Sequence, residues 1–152
     1  MSETFKRLAT PASYARAMTL SFDFIGIVTR DLGASLQFYR LLGVDIPAGL
    51  DDAPHVEVEL AGGMTLAWDP VSTIHSFQPD FEFPTGRGRI GFAFQEDSPA
   101  GVDDAYAGLI AQLPSAAHTA PWDAPWGQRY ATVIDPDGNS IDIYAALETA
   151  AS

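Results

Sequence analysis

The feature that most constrains this chain is an imprecise internal repeat, one copy over residues 21–69 and a second over 88–146. Each copy opens with an alternating strand, continues into one amphipathic helix and closes with further short strands. In the first copy Phe22, Phe24, Gly26 and Val28 fall on one strand face and Asp23, Ile25, Ile27 and Thr29 on the other. A helix follows, with Asp31 as N-cap, Leu32, Leu36 and Tyr39 on its stripe and Gly43 at its end. A short edge segment at 44–47, a strand at 55–60, a turn at Gly62-Gly63 and a strand at 64–68 complete an order βαβββ. A Pro- and Gly-rich connection leads to the second copy. There a strand at 89–95 precedes a helix opened by Ser98-Pro99, with Val102, Tyr106, Leu109, Ile110 and Leu113 on one stripe. A segment at 117–120 and a C-terminal hairpin end it. The hairpin turn is Asp135-Pro136-Asp137-Gly138-Asn139, in which Pro fixes one φ and Gly-Asn accepts φ > 0.

An amphipathic helix and a half-apolar sheet hide their apolar surfaces only against each other, so each helix covers one face of its sheet. Ile25, Ile27, Val56, Val58, Leu60, Ile90, Phe92, Phe94, Ile141 and Ile143 then face the helices. The opposite face receives Phe24, Gly26 and Val28, His55, Glu57 and Glu59, Arg89, Gly91 and Ala93, Arg129, Asp142 and Tyr144. If the sheets curve, these residues line a cavity; if not, they face water. The expected organisation is an N-terminal extension over 1–19, a first module over 20–69, a linker over 70–87, a second module over 88–147 and a tail over 148–152.

Composition narrows the function classes. The net charge is −12, and residues 17–152 hold 19 acids against five arginines and no lysine. Such a field repels nucleic acid and anionic lipid and attracts cationic small molecules. With no cysteine there are no thiolate metal sites, disulfides or cysteine nucleophile. No apolar run reaches the ~20 residues of a membrane span, and no secretory signal pattern follows the basic residues near the N-terminus. A cytoplasmic protein is expected. His55, His75 and His118 have no nucleophile-elbow context, and Gly86-Arg87-Gly88-Arg89 lacks the strand-to-helix setting of a phosphate loop. No catalytic residue is assigned.

The paired modules, the stretch Gly26-Ile27-Val28-Thr29-Arg30-Asp31-Leu32 with Phe38-Tyr39 and Leu42-Gly43, and the turn at 135–139 resemble the vicinal oxygen chelate superfamily. That superfamily comprises glyoxalase I, extradiol dioxygenases, fosfomycin-resistance enzymes and bleomycin-resistance proteins. The resemblance implies an α+β fold in which two βαβββ modules form a cup-shaped mixed sheet with helices outside, completed in a homodimer. In metal-dependent members the ligands come from the first and last strands of both modules. Here those positions fall on Phe24, Arg89 and Asp142, and the remaining one on 64–68, where no residue is a good ligand. A transition metal needs several nitrogen or anionic oxygen donors within about 2.0–2.2 Å. Phenylalanine supplies none and a guanidinium repels the ion. No metal and no cofactor are therefore expected, the other source of donors being an unfamiliar set from His55, Glu57 and Glu59. Arg89 and Asp142 would form an ion pair across the vacated position. That pair either satisfies two partly buried charges or leaves Arg89 donors for a ligand.

The segment Pro125-Trp126-Gly127-Gln128-Arg129-Tyr130 is similar to one in bleomycin-resistance proteins, which lack the metal, are acidic and sequester cationic aromatic glycopeptides in grooves of a dimer. Trp68, Phe77, Phe81, Phe83, Trp122, Trp126 and Tyr130 are available as flat faces. The expected site is Phe24, Glu57, Glu59, Trp68, Arg89, Trp122, Trp126, Arg129, Asp142 and Tyr144, and the expected partner a small organic molecule, antibiotic-like in one version. The alternative is a lyase, isomerase or dioxygenase of the same superfamily with a nonstandard metal site or Asp142 as general base.

Overall fold

In the computed structural model, residues 21–87 and 90–148 are described. Chain order is β1 (Phe24–Thr29), α1 (Leu32–Leu41), β2 (Val56–Glu59), β3 (Thr65–Pro70), α2 (Val71–Phe77), β4 (Gly91–Gln95), α3 (Pro99–Gln112), a 3-10 turn (Pro114–Ala116), β5 (Ala117–Ala124), β6 (Gln128–Ile134) and β7 (Ser140–Ala146). The strands form two mixed sheets, ordered β1-β3-β2 and β4-β7-β6-β5. In each, the first strand of the module lies parallel to the last, so the repeat read in the sequence is a repeat of topology. The fold is α+β, as expected. The expected extension over 1–19, Arg89 and most of the tail over 148–152 lie outside the described residues.

Both helix starts follow from their caps. The Asp31 carboxylate accepts from the Ala34 amide at 3.0 Å and the Ser98 hydroxyl from the Gly101 amide at 3.1 Å, each satisfying a donor the helix leaves free. From α1, Leu36, Phe38 and Tyr39 are fully buried; from α3, Val102 and Leu109. They join Ile27, Leu66 and Trp68 of the first sheet and Ala131, Val133, Ile141 and Ile143 of the second in one core cluster, with Phe92 and Phe94 packed against it. The modules therefore share a core.

Three expectations about elements are corrected. Residues 44–47 form no strand, so the first module is βαββ. Val44 and Ile46 are buried, but the Arg40 guanidinium takes the carbonyls of Ile46 and Pro47, at 3.0 and 2.6 Å, and Pro47 has no N–H to offer a ladder. The connection over 70–87 contains a helix, α2, whose Ile74 is buried. Ile90 does not face the helices: β4 begins one residue later, and Ile90 is 71% exposed.

The turn at 135–139 links the two modules. Asp135, 3% exposed, accepts four hydrogen bonds: Oδ1 from the amides of Asp137 and Asn139, and Oδ2 from the Asn139 side chain and from the Tyr39 hydroxyl of α1 at 2.9 Å. Within this turn Gly138 alone takes positive φ (+90°), which lets the turn close and the β6–β7 ladder begin. Burial and the facing Asp135 carboxylate push the Tyr39 phenol well above its ordinary range, so Tyr39 stays a donor.

Candidate functional site

The open face of the second sheet is set by the register of β6 and β7. Ala131 and Val133 pair with Ile143 and Ile141 and turn into the core, so Tyr130, Thr132, Asp142 and Tyr144 turn outward. Asp142 stands directly across from Thr132 and receives its hydroxyl on Oδ1 at 2.8 Å; Tyr130 donates to Oδ2 at 2.7 Å. Desolvation, then the bond to Asp142, push the Tyr130 phenol up to about 12. Both oxygens of Asp142 are thus engaged by fixed hydroxyls. The expected Arg89–Asp142 pair falls on a residue outside the described ones.

Beside this carboxylate runs an aromatic row. Tyr130 pairs with Tyr144 on one side and Trp122 on the other. The Trp126 ring stands edge-on to both Trp122 (centroids 5.4 Å apart) and Tyr130 (5.2 Å). The backbone explains the placement. Pro125 and Gly127 make the tight β5–β6 turn, with Gly127 at φ +90° and its amide on the Ala124 carbonyl, so Trp126 is carried at the tip and folded back. Trp126 Nε1 donates to Gln128 Oε1 at 2.9 Å. Pro121 sits in β5, an edge strand with two register shifts, which fits proline's missing donor. Trp122 and Trp126 remain 40% and 53% exposed, unusual for so large an apolar side chain.

On the first sheet Phe24 is half exposed on the open face, and its ring lies over Gly26, where a side chain would meet Phe24 Cε1 at 3.4 Å. Glu57 and Glu59 are exposed on β2, opposite Ala67 and Thr65. His55 Nδ1 lies 2.7 Å from Asp69 Oδ1 and Nε2 3.2 Å from Glu57 Oε2, and the carboxylates accept from its ring N–H; these bonds, the one to Asp69 foremost, raise its pKa. The sequence reading missed Asp69. Val28 pairs with Asp69 as Ala93 pairs with Asp142, so Asp69 is the first-module counterpart of Asp142, one residue beyond the stretch searched for it.

Two expected site residues point elsewhere. Trp68 pairs with Ile27, is fully buried and meets the Tyr39 ring edge-on at 5.4 Å; it is core. Its alternation with Leu66 was the available signal. Arg129 pairs with the buried Ala145 and reaches the helix side, where Nε and Nη1 bond Asp103 of α3 at 2.9 Å and Asp123 of β5 at 3.0 Å. It ties the helix to the sheet edge.

A metal at the positions carried over from the family does not fit these residues. Phe24 has no lone pair to give, both Asp142 oxygens already accept, and both His55 ring nitrogens face carboxylates. Among the described residues no group of three His, Cys, Asp or Glu is placed to hold an ion.

The scaffold and face define a paired-module α+β protein presenting an aromatic and acidic sheet surface. A family model described as the Glyoxalase/Bleomycin resistance protein/Dioxygenase superfamily matches residues 21–143, and the chain belongs to that superfamily. Among solved structures, a glyoxalase/bleomycin resistance protein/dioxygenase family enzyme from Burkholderia phytofirmans PsJN aligns at TM-score 0.70 and 20% identity, over 84% of this chain and 100% of that one. A glyoxalase/bleomycin resistance protein/dioxygenase from Nocardioides aligns at TM-score 0.66 and 27% identity, over 90% and 92%. A lactoylglutathione lyase from Agrobacterium tumefaciens aligns at TM-score 0.59 and 22% identity, over 82% and 92%, a likeness of fold. A search of curated protein sequences finds no match. No helix among the described residues is long and apolar enough to cross a membrane.

Proposed function

We propose that this protein is a metal-independent, homodimeric cytoplasmic binding protein that sequesters a cationic aromatic molecule of the antibiotic type. The observation that carries the reading is the exposed Trp122–Trp126–Tyr130 row, held in fixed edge-to-face geometry beside the Asp142 carboxylate. Aromatic faces attract planar cations, and a net charge of −12 concentrates such molecules around the protein. Tyr144 extends the row; Phe24 and Glu57 offer a second apolar and acidic wall on the first sheet, with Glu59 on the same strand. Asp142 serves as a fixed acceptor. A role as general base suits it less, because both its oxygens are already taken up by the Tyr130 and Thr132 hydroxyls.

Titration of tryptophan fluorescence with bleomycin, a cationic aromatic glycopeptide, tests the reading. Saturable quenching at micromolar ligand is expected. Trp126→Ala should weaken it about tenfold, the scale of a desolvated cation–π contact. No change in a folded sample sinks the antibiotic version. Elemental analysis of protein purified without chelator tests the metal: stoichiometric zinc, nickel, manganese or iron would restore the enzymatic alternative. Light scattering on the eluting species decides the dimer.

A further inference from the structure

A cavity of about 300 Å³ lies between the modules, and none of its lining residues belongs to the aromatic row. Val28 of β1, Phe83 of the connection and Phe92 of β4 line it with apolar surface, joined by the exposed Ile90. The size is at the lower end of small-molecule sites, about 300–1,000 Å³. Phe83 is held in place by the Arg30 guanidinium, 4.5 Å over its ring.

Two charged residues share this lining, and neither is fully used by the protein. The Asp137 side chain is 2% exposed. Its Oδ1 accepts the Arg30 amide at 2.9 Å and lies 3.7 Å from Arg30 Nε. Its Oδ2 is buried and has no hydrogen-bond partner. A buried carboxylate oxygen without a donor is rare and costly, so a donor from outside the chain is expected there. Arg87 leans on the same turn, its Cγ 3.8 Å from where a side chain at Gly138 would begin. Among the described residues no carboxylate pairs with it.

We propose that this cavity binds a small aromatic molecule carrying both an N–H donor and an acidic group. The ring occupies the space among Phe83, Ile90 and Phe92, the N–H donates to Asp137 Oδ2, and the acid meets Arg87. The net charge of −12 opposes an anion at long range, but salt screens that field within about 8 Å, whereas Arg87 acts at contact. This site is independent of the aromatic row, so either can fail alone.

Anthranilate, with its amine and carboxylate on one ring, is the probe, and amide NMR the readout. Saturable shifts are expected at Gly26, Gly138 and Asn139, with the Trp122 and Trp126 indole signals unmoved. Aniline and benzoate, each lacking one group, should bind about tenfold more weakly. Asp137→Asn keeps an oxygen for the Arg30 amide and replaces the acceptor at Oδ2; Arg87→Gln removes an exposed charge. Each should weaken anthranilate by a similar factor while the far-UV spectrum stays native. Equal binding of the three probes, insensitivity to both substitutions, shifts confined to the tryptophans, or no shift up to the solubility limit would overturn the proposal.

Discussion

Replacing Tyr39 by Phe removes one oxygen and leaves the ring, so it isolates the hydrogen bond that joins the modules. The bond is 2.9 Å long, buried, and made to a carboxylate. Hydrogen bonds to charged groups contribute about 1.5–3 kcal/mol, and Asp135 keeps its three other donors, so a loss of about 2 kcal/mol is expected. For a domain of this size that lowers Tm by roughly 4–8 °C. Urea unfolding followed by fluorescence measures it, with an unchanged m-value showing that the unfolded state is not altered. The pH dependence gives a second check. The folded Tyr39 pKa is raised above its unfolded value near 10, so its contribution is complete below pH ~10 and is lost as pH climbs above that. Tyr39→Phe should therefore flatten the alkaline fall in stability. A loss below about 0.5 kcal/mol, together with an unchanged alkaline limb, would refute the inter-module latch.

Two further predictions concern the open faces. Tyr130 should titrate near pH 12, and Asp142→Asn should bring it only part of the way down, since desolvation, the larger cause, remains; a pKa unchanged by the substitution, read by NMR, would mean the Tyr130–Asp142 bond is absent in solution. His55 should titrate above ~6.5, and Asp69→Asn should lower it more than Glu57→Gln, because the Asp69 bond is the larger cause. By linkage its stabilising effect is complete below pH ~6.5 and is lost as pH rises through the raised folded value; a midpoint below 6.5 contradicts this.

How much of this was legible in the sequence depends on whether the signal was local. Asp31, Ser98 and the turn at 135–139 act within four residues, and each does what its residue type dictates. The outward faces of β6 and β7 also follow from alternation, since Ala131, Val133, Ile141 and Ile143 fix the core side. The same alternation, applied strictly, assigns Trp68 with Leu66 and Arg129 with Ala131 to that side. Aromatic or charged character is a weaker guide to facing than period two. Other features depend on long-range partners. Nothing near residue 46 announces that Arg40 takes its carbonyl, and nothing near Asp135 announces that a tyrosine 96 residues earlier completes its shell.

The two acids at equivalent register show how one scaffold position is used differently in the two modules. Asp69 faces a histidine whose pKa it raises, so its module's open surface carries a group whose charge changes with pH. Asp142 faces two hydroxyls, whose bonds fix its carboxylate beside the aromatic row. A ligand spanning both faces would therefore meet one wall whose charge changes with pH at His55 and one whose carboxylate is held by hydroxyls. Weakening of cation binding on acidification is then expected from His55 acquiring its proton between Asp69 and Glu57. Binding measured across pH 6–8 in wild type and His55→Gln tests this: dependence that survives the substitution would assign it to another group.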